Sequence, residues 1–160
     1  MKRLHVHLAV DDLNKAIAFY STLFDAEPTT AKPDYAKWML DDPRVNFAIS
    51  ARQSTTGIQH LGIQAEDKDE LDTVYERLSR ADAQTLEEGE TTCCYARSEK
   101  SWIADPVGTN WEVFRTMGDS TDYGHDLTAG TAAAPDSEAG DGPCCTPRAM
   151  PAAPKSACCS

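Results

Sequence analysis

The chain predicts an α+β fold of two βαβββ modules forming a metal-binding cup, followed by a disordered C-terminal tail. Three observations carry this reading. The segment HVHLAVDDLNKAIAFYSTL recurs 55 positions later as HLGIQAEDKDELDTVYERL, placing His5 with His60, Asp12 with Asp67, Tyr20 with Tyr75 and Leu23 with Leu78. A second match at an offset of 64 aligns Trp38 with Trp102, Asn46 with Asn110 and Phe47 with Trp111. The composition then changes: residues 117–160 hold five of the nine glycines, five of the nine prolines and four of the six cysteines.

The elements follow in order. Arg3 to Val10 alternates, with Leu4, Val6, Leu8 and Val10 on one face and His5, His7 and Ala9 on the other, as a strand requires. Asp11 or Asp12 caps a helix from about Leu13 to Phe24, whose Leu13, Ala16, Ile17, Tyr20 and Phe24 keep helical spacing. Pro28, Pro33 and Pro43 punctuate short strands, the clearest at Ala36–Leu40 and Val45–Ser50. The second half repeats this: a strand over Gly57–Ala65, a helix over about Lys68–Ala81, and strands at Gln84–Glu90, Ser101–Ala104 and Asn110–Arg115. The turn DPVG separates the last two. Each amphipathic helix covers one sheet face and leaves the other to a shared concave surface. The expected organisation is a domain over 1–123, with modules at about 1–52 and 57–116, and a Cys-pair tail over 124–160.

Composition bounds the partners. The 160 residues carry 26 acidic and 15 basic side chains, a net charge of -11. Such a balance speaks against nucleic-acid binding, which needs clustered Lys and Arg. No run approaches the roughly 18 to 20 apolar residues of a membrane span, and the N-terminus lacks the apolar stretch of a signal peptide. A cytoplasmic protein is expected, with its cysteines as thiols.

The repeat brings ligand-type residues together. His5 and His60 occupy equivalent strands, and Ala48 of the first half corresponds to Glu112 of the second. Two histidines and one carboxylate are the set that suits non-haem Fe(II) with open positions; Zn²⁺ accepts the same set. His7 shares the face of His5, has Gly62 as its counterpart, and is read as a residue behind the ligands. All six cysteines fall in adjacent pairs, Cys93–Cys94, Cys144–Cys145 and Cys158–Cys159. The first follows Thr91 and Thr92, in a loop between strands. Adjacent thiolates are a soft two-toothed ligand for Cd(II), Zn(II), Hg(II) or trivalent arsenic and antimony. A trivalent arsenical with one carbon substituent has two exchangeable positions, which two thiols fill. Tyr35, Trp38, Tyr95 and Trp102 are candidate walls of the cup or core residues.

The opening HLAVDDLNKAIAFYSTLF resembles the vicinal oxygen chelate (glyoxalase/bleomycin-resistance) superfamily. Within it, KPDYAKW and TTCCYARSEKSWIADPVGTNWEVF resemble the branch of arsenic-inducible C–As lyases and cadmium-inducible proteins. The branch often carries GPGG where this chain has Asp105-Pro106-Val107-Gly108. The resemblance covers residues 1 to about 123. It implies a non-haem Fe(II) dioxygenase that cleaves the carbon–arsenic bond of trivalent organoarsenicals with O2, yielding arsenite. Carried over by position, His5, His60 and Glu112 match the metal ligands and catalytic centre, and Cys93 and Cys94 the thiols that hold arsenic. Lys100 matches a lysine of the branch motif, behind the ligands, and Cys144, Cys145, Cys158 and Cys159 are accessory thiols. The alternative is a non-enzymatic cadmium- or arsenite-binding resistance protein using the three pairs alone. A third, weaker reading is another superfamily activity, such as an extradiol dioxygenase, a glyoxalase or antibiotic sequestration.

Because the tail lacks the apolar residues to offset its ordering entropy, removing it after about Tyr123 is expected to leave the melting temperature nearly unchanged. A drop above about 5 °C in a thermal melt, on the order of 1 kcal/mol for a domain of this size, would show that the tail docks.

Overall fold

The computed structural model describes residues 1–80 and 85–124. The elements are β1 (Arg3–Ala9), α1 (Leu13–Phe24), β2 (Thr30–Lys32), β3 (Tyr35–Asp41), β4 (Arg44–Ser50), β5 (Gly57–Ala65), α2 (Lys68–Leu78), β6 (Thr85–Cys93), β7 (Ala96–Ala104) and β8 (Asn110–Asp119). Each half is therefore βαβββ, as the repeat predicts. Residues 81–84 and 125–160 lie outside the described residues, and with them the expected disorder of the tail and the thiols of Cys144, Cys145, Cys158 and Cys159. Among the described residues no helix is long and apolar enough to cross a membrane.

Both helices begin on an aspartate. Asp12 accepts from the backbone N–H of Lys15 at 3.0 Å, and Asp67 from that of Glu70 at 2.8 Å. At the second cap the Glu70 carboxylate also accepts from the Glu66 N–H at 3.1 Å. The Asp67 bond satisfies a donor that the helix start leaves open, and the Glu70 bond ties the residue before the cap to the first turn. Helix α1 ends at Asp25 in the left-handed region (φ 48°).

All eight strands form one mixed sheet in the order β2-β3-β4-β1-β5-β8-β7-β6. Parallel pairs β1·β4 and β5·β8 lie inside the modules, and the antiparallel pair β1·β5 joins them at the centre. The helices cover one face. Under α1, Trp38, Val45, Phe47 and Ile49 are buried with Val6 and Leu8 against Ile17, Tyr20 and Phe24. Under α2, Ala65, Leu71, Val74 and Val113 form the second cluster. Full burial of a side chain such as Leu71 stabilises the fold by about 1.5–3 kcal/mol. The pleat sends the alternate residues to the opposite face, where His5, His7, Asn46, Ser50, His60, Ser98, Lys100 and Glu112 are all buried.

The register tests the repeat residue by residue. His7 faces Ala48 across β1·β4, and Gly62 faces Glu112 across β5·β8. The offsets 55 and 64 thus hold together, and Glu112 is the counterpart of Ala48. The alignment of Trp38 with Trp102 does not hold. Trp38 pairs with Phe47, whereas Trp111, the counterpart of Phe47, pairs with Ile103. A one-residue slip changes the face, so Trp38 packs under α1 while Trp102 faces the cup. Other boundaries also move: α2 ends at Leu78, β7 starts at Ala96 and β8 runs to Asp119. The expected loop around Thr91, Thr92 and Cys93 is the end of strand β6. Thr91 and Thr92 pair with Ser98 and Arg97, a long hairpin whose polar outward residues conceal its strands in the sequence.

Gly62 pairs with Glu112 where β5 meets β8. A Cβ there would lie 2.4 Å from the Glu112 carbonyl oxygen, which is backbone and cannot rotate away. Gly62→Ala is expected to destabilise the domain by about 1–3 kcal/mol, the range for overpacking, measured by urea unfolding. An unchanged midpoint would show that β5 and β8 are not in this contact.

Candidate functional site

Three strands each bring one ligand-type side chain to the centre of the inner face: β1 His5, β5 His60 and β8 Glu112. The Nε2 atoms of His5 and His60 lie 3.1 Å apart. The Glu112 Oε2 is 3.7 Å from the first and 3.4 Å from the second. These separations suit neighbouring ligands of one ion, which at bonds of about 2.1 Å stand roughly 3 Å apart when at right angles. The orientation of His5 is anchored from behind. Its Nδ1 lies 3.0 Å from the Asn46 carbonyl oxygen, which can only accept, so Nδ1 carries the proton and Nε2 turns its lone pair to the centre. The donor set and its burial therefore fit a divalent cation.

The remaining oxygen of Glu112 is committed. Lys100, 1 % exposed, donates to Oε1 at 2.9 Å. Behind it Glu88 Oε2 lies 3.9 Å from the ammonium and accepts from Trp102 Nε1 at 2.8 Å. The Trp102 ring packs edge-on to His60, and Phe114 edge-on to His5. Burial alone would push the Glu112 carboxyl up, but Lys100 and the two imidazoles outweigh it and hold it well below the usual range. Burial likewise opposes the Lys100 charge, yet Glu112 and its neighbours raise that group above its ordinary value. Burial pushes His5 down to about 4, with His60 adding to the effect. His7 lies well below its ordinary value for the same reasons, burial first.

The thiols sit at the hairpin that closes over this floor. Cys93 is the last residue of β6, and Cys94 and Tyr95 are the two central residues of the turn, with φ of 56° and 62°. Two-residue hairpin turns need such left-handed angles, usually supplied by Asn or Gly. For these side chains the strain is on the order of 1–3 kcal/mol each. Successive residues of a strand would aim two thiols at opposite faces; the left-handed turn brings the two Sγ atoms within 2.9 Å of each other. One pocket is lined by both thiols together with His5, Lys100 and Glu112.

The turn is tied to the first module. The Tyr95 hydroxyl donates to Asp34 at 2.8 Å, and Arg52 also pairs with Asp34. The Arg52 guanidinium lies 3.9 Å from the centroid of the Tyr123 ring, whose hydroxyl is 3.6 Å from Cys94 Sγ. Of the four aromatic residues singled out in the sequence, Tyr35 lines the pocket, Tyr95 forms its turn and Trp102 backs His60. Trp38 does not belong there: its indole donates to the Ala26 carbonyl in the core. Sequence reasoning missed Asn46, Ser50, Glu88 and Tyr123, because nothing local distinguishes them. The signal for Asn46 was its repeat partner Asn110.

The family model for the Glyoxalase/Bleomycin resistance protein/Dioxygenase superfamily matches residues 2–113. The chain belongs to this superfamily. A trivalent organoarsenical cleaving enzyme of Bacillus sp. (strain MD1) is 40% identical over 163 residues, covering 100% of both chains. The cadmium-induced protein CadI of Mycobacterium tuberculosis (strain ATCC 25618 / H37Rv) is 38% identical over 125 residues, 78% of this chain and 82% of that one. Among solved structures, the Mn(II)-bound glyoxalase of Novosphingobium aromaticivorans superposes with a TM-score of 0.53 at 18% identity, over 79% of this chain and 43% of that one. An extradiol ring-cleaving dioxygenase from B.fuscum gives 0.55 at 13% identity, over 73% and 33%. At these identities the shared property is the fold.

Acid is expected to unfold this protein through its imidazoles. An unfolded His titrates near 6.5 and the buried His5 near 4. Between these values the unfolded state holds a proton that the folded state does not, so stability rises with pH and is lost on acidification. The window between these two values corresponds to roughly 3–4 kcal/mol at most. Glu112, held as a carboxylate, adds a loss in the same direction at lower pH. Urea midpoints at pH 4, 5, 6 and 7 check this. A flat profile, or one that His5→Gln leaves equally steep, would contradict it.

Proposed function

We propose that this protein cleaves the carbon–arsenic bond of trivalent organoarsenicals, of the methyl- or aryl-As(III) kind, to arsenite, in a reaction dependent on Fe(II) and O2. The observation that carries the reading is that a dithiol lines the same pocket as His5 and Glu112, which meet the buried His60 at 3.1 and 3.4 Å. The relative named for organoarsenical cleavage, similar over its whole length, supports the same class of reaction.

His5, His60 and Glu112 hold the iron, and Cys93 and Cys94 hold the substrate. Bound iron supplies O2 activation, which a two-His-one-carboxylate set permits because it leaves positions open. The thiols exchange with the two hydroxyls of R–As(OH)2, forming two S–As bonds and releasing two waters, so that the organic group keeps its bond to arsenic and enters the pocket. The strained turn holds the two sulfurs ready, which lowers the ordering needed on binding. Lys100 keeps Glu112 ionised and occupies Oε1, leaving Oε2 toward the imidazoles. Trp102 and Phe114 shield the imidazoles from water.

A cadmium- or arsenite-binding role without catalysis is the second reading, supported by the relative named as cadmium-induced. It uses the thiols and has no need of the buried floor. Replacing His60 would then leave metal tolerance intact, whereas cleavage requires it.

Two variants separate the partners. Glu112→Ala is expected to weaken Fe(II) binding by more than the 10- to 100-fold typical of groups behind the ligands, to abolish cleavage, and to keep arsenical binding. Cys93→Ser with Cys94→Ser is expected to keep Fe(II) binding and lose both arsenical binding and cleavage, since serine is a poor partner for soft trivalent arsenic. Anaerobic Fe(II) titration followed by Trp102 fluorescence, then O2 with methylarsenite and chromatographic speciation, reads both. Cleavage retained in either variant would overturn the assignment. Replacing Cys144, Cys145, Cys158 and Cys159 together is expected to lower turnover far less.

A further inference from the structure

The inner face holds one imidazole more than the assigned centre uses. His7 is completely buried, and a ring nitrogen of His7 lies within 4.8 Å of the ligand nitrogens of His5 and His60. Its ring centroid is 4.8 Å from that of His60 and 6.3 Å from that of His5. The ring is anchored at one nitrogen, Nε2, which shares a hydrogen bond of 2.9 Å with Ser50 Oγ. The other nitrogen, Nδ1, is buried without a hydrogen-bond partner among the described residues. His5 is built the same way, one nitrogen tied to β4 at Asn46 and the other turned inward.

We propose that His7 is a fourth protein ligand, so that this chain holds its metal with three imidazoles and one carboxylate. The inference rests on the metal centre assigned above and changes its composition. Two atoms on one ion are at most about 4.2 Å apart at bonds near 2.1 Å, and the three imidazoles have ring nitrogens within 4.8 Å of one another, close to that spacing. The second module offers no such group, because its counterpart is Gly62, whose inner side is filled by Glu112. The chemistry accommodates the extra ligand. An arsenical anchored on Cys93 and Cys94 needs no position on the metal, and a six-coordinate ion with four protein ligands retains two positions for small molecules. A third neutral imidazole also favours borderline metals such as Fe(II), Co(II) and Zn(II) over the harder Mg(II).

The test uses the full chain loaded anaerobically with Co(II), a spectroscopic substitute for iron. X-ray absorption on the wild type is expected to count three imidazoles, and on His7→Ala two. His7→Ala is also expected to lose at least 10-fold in Co(II) affinity, with altered visible d–d bands that added imidazole restores. Two imidazoles in the wild type overturn the proposal, as do unchanged affinity and bands in His7→Ala. Should His7→Ala fail to fold, the imidazole count of the wild type decides alone. If Co(II) binds the wild type but His60→Ala leaves its spectrum untouched, the metal lies elsewhere and the assigned centre fails together with this proposal; methylarsenite binding to the thiols then stands or falls separately.

Discussion

The antiparallel pairing of β1 with β5 is the contact on which everything else rests. It joins the two modules into one sheet and sets His7 opposite His60 and His5 opposite Gly62. Because side chains alternate across the pleat, that register places all three imidazoles on one face and their apolar neighbours under the helices. A slip of one residue would exchange the faces and put histidines into the hydrophobic cores. The apolar clusters under α1 and α2 therefore specify the register of the polar site, although they do not touch it.

A site of this kind carries an energetic burden. Lys100 and Glu112 are buried charges, and removing Lys100 leaves the carboxylate without its cation, typically a loss of about 3–5 kcal/mol. Their mutual hydrogen bond, with Glu88 and Trp102 behind it, keeps the carboxylate ionised beside the imidazoles. Such an arrangement is poorly justified by stability, since apolar packing serves that end as well. It suits the proposed cation, which would need preformed, deprotonated ligands. The left-handed backbone at Cys94 and Tyr95 belongs to the same economy of strain concentrated at a site.

The two modules share an architecture but have diverged in chemistry. The first supplies His5, His7 and the anchors Asn46 and Ser50. The second supplies His60, Glu112, Lys100 and the dithiol. Asp34 and Arg52 of the first reach the turn and Tyr123 of the second, so the mouth of the pocket also spans both halves.

Much of this was legible in the linear order of residues. The strand–helix periodicities, the aspartate caps and the equivalence of His5 with His60 all express local spacing, and spacing is what a sequence records. The correspondence of Glu112 with Ala48 needed two offsets and was still recoverable, because both halves conserve the pairing of their first and last strands. What the sequence could not decide was the direction of side chains where a strand has no apolar alternation. The β6–β7 hairpin is polar on its outer side, so its length, the placement of Cys93 at a strand end and the inward face of Trp102 emerged only from pairing with β8. The same holds for the Lys100–Glu112 bond, the Ser50 and Asn46 anchors and the reach of Tyr123 to Cys94. Each joins residues at least a dozen positions apart in the chain. No local propensity encodes such contacts; they exist only when the whole sheet has closed in register.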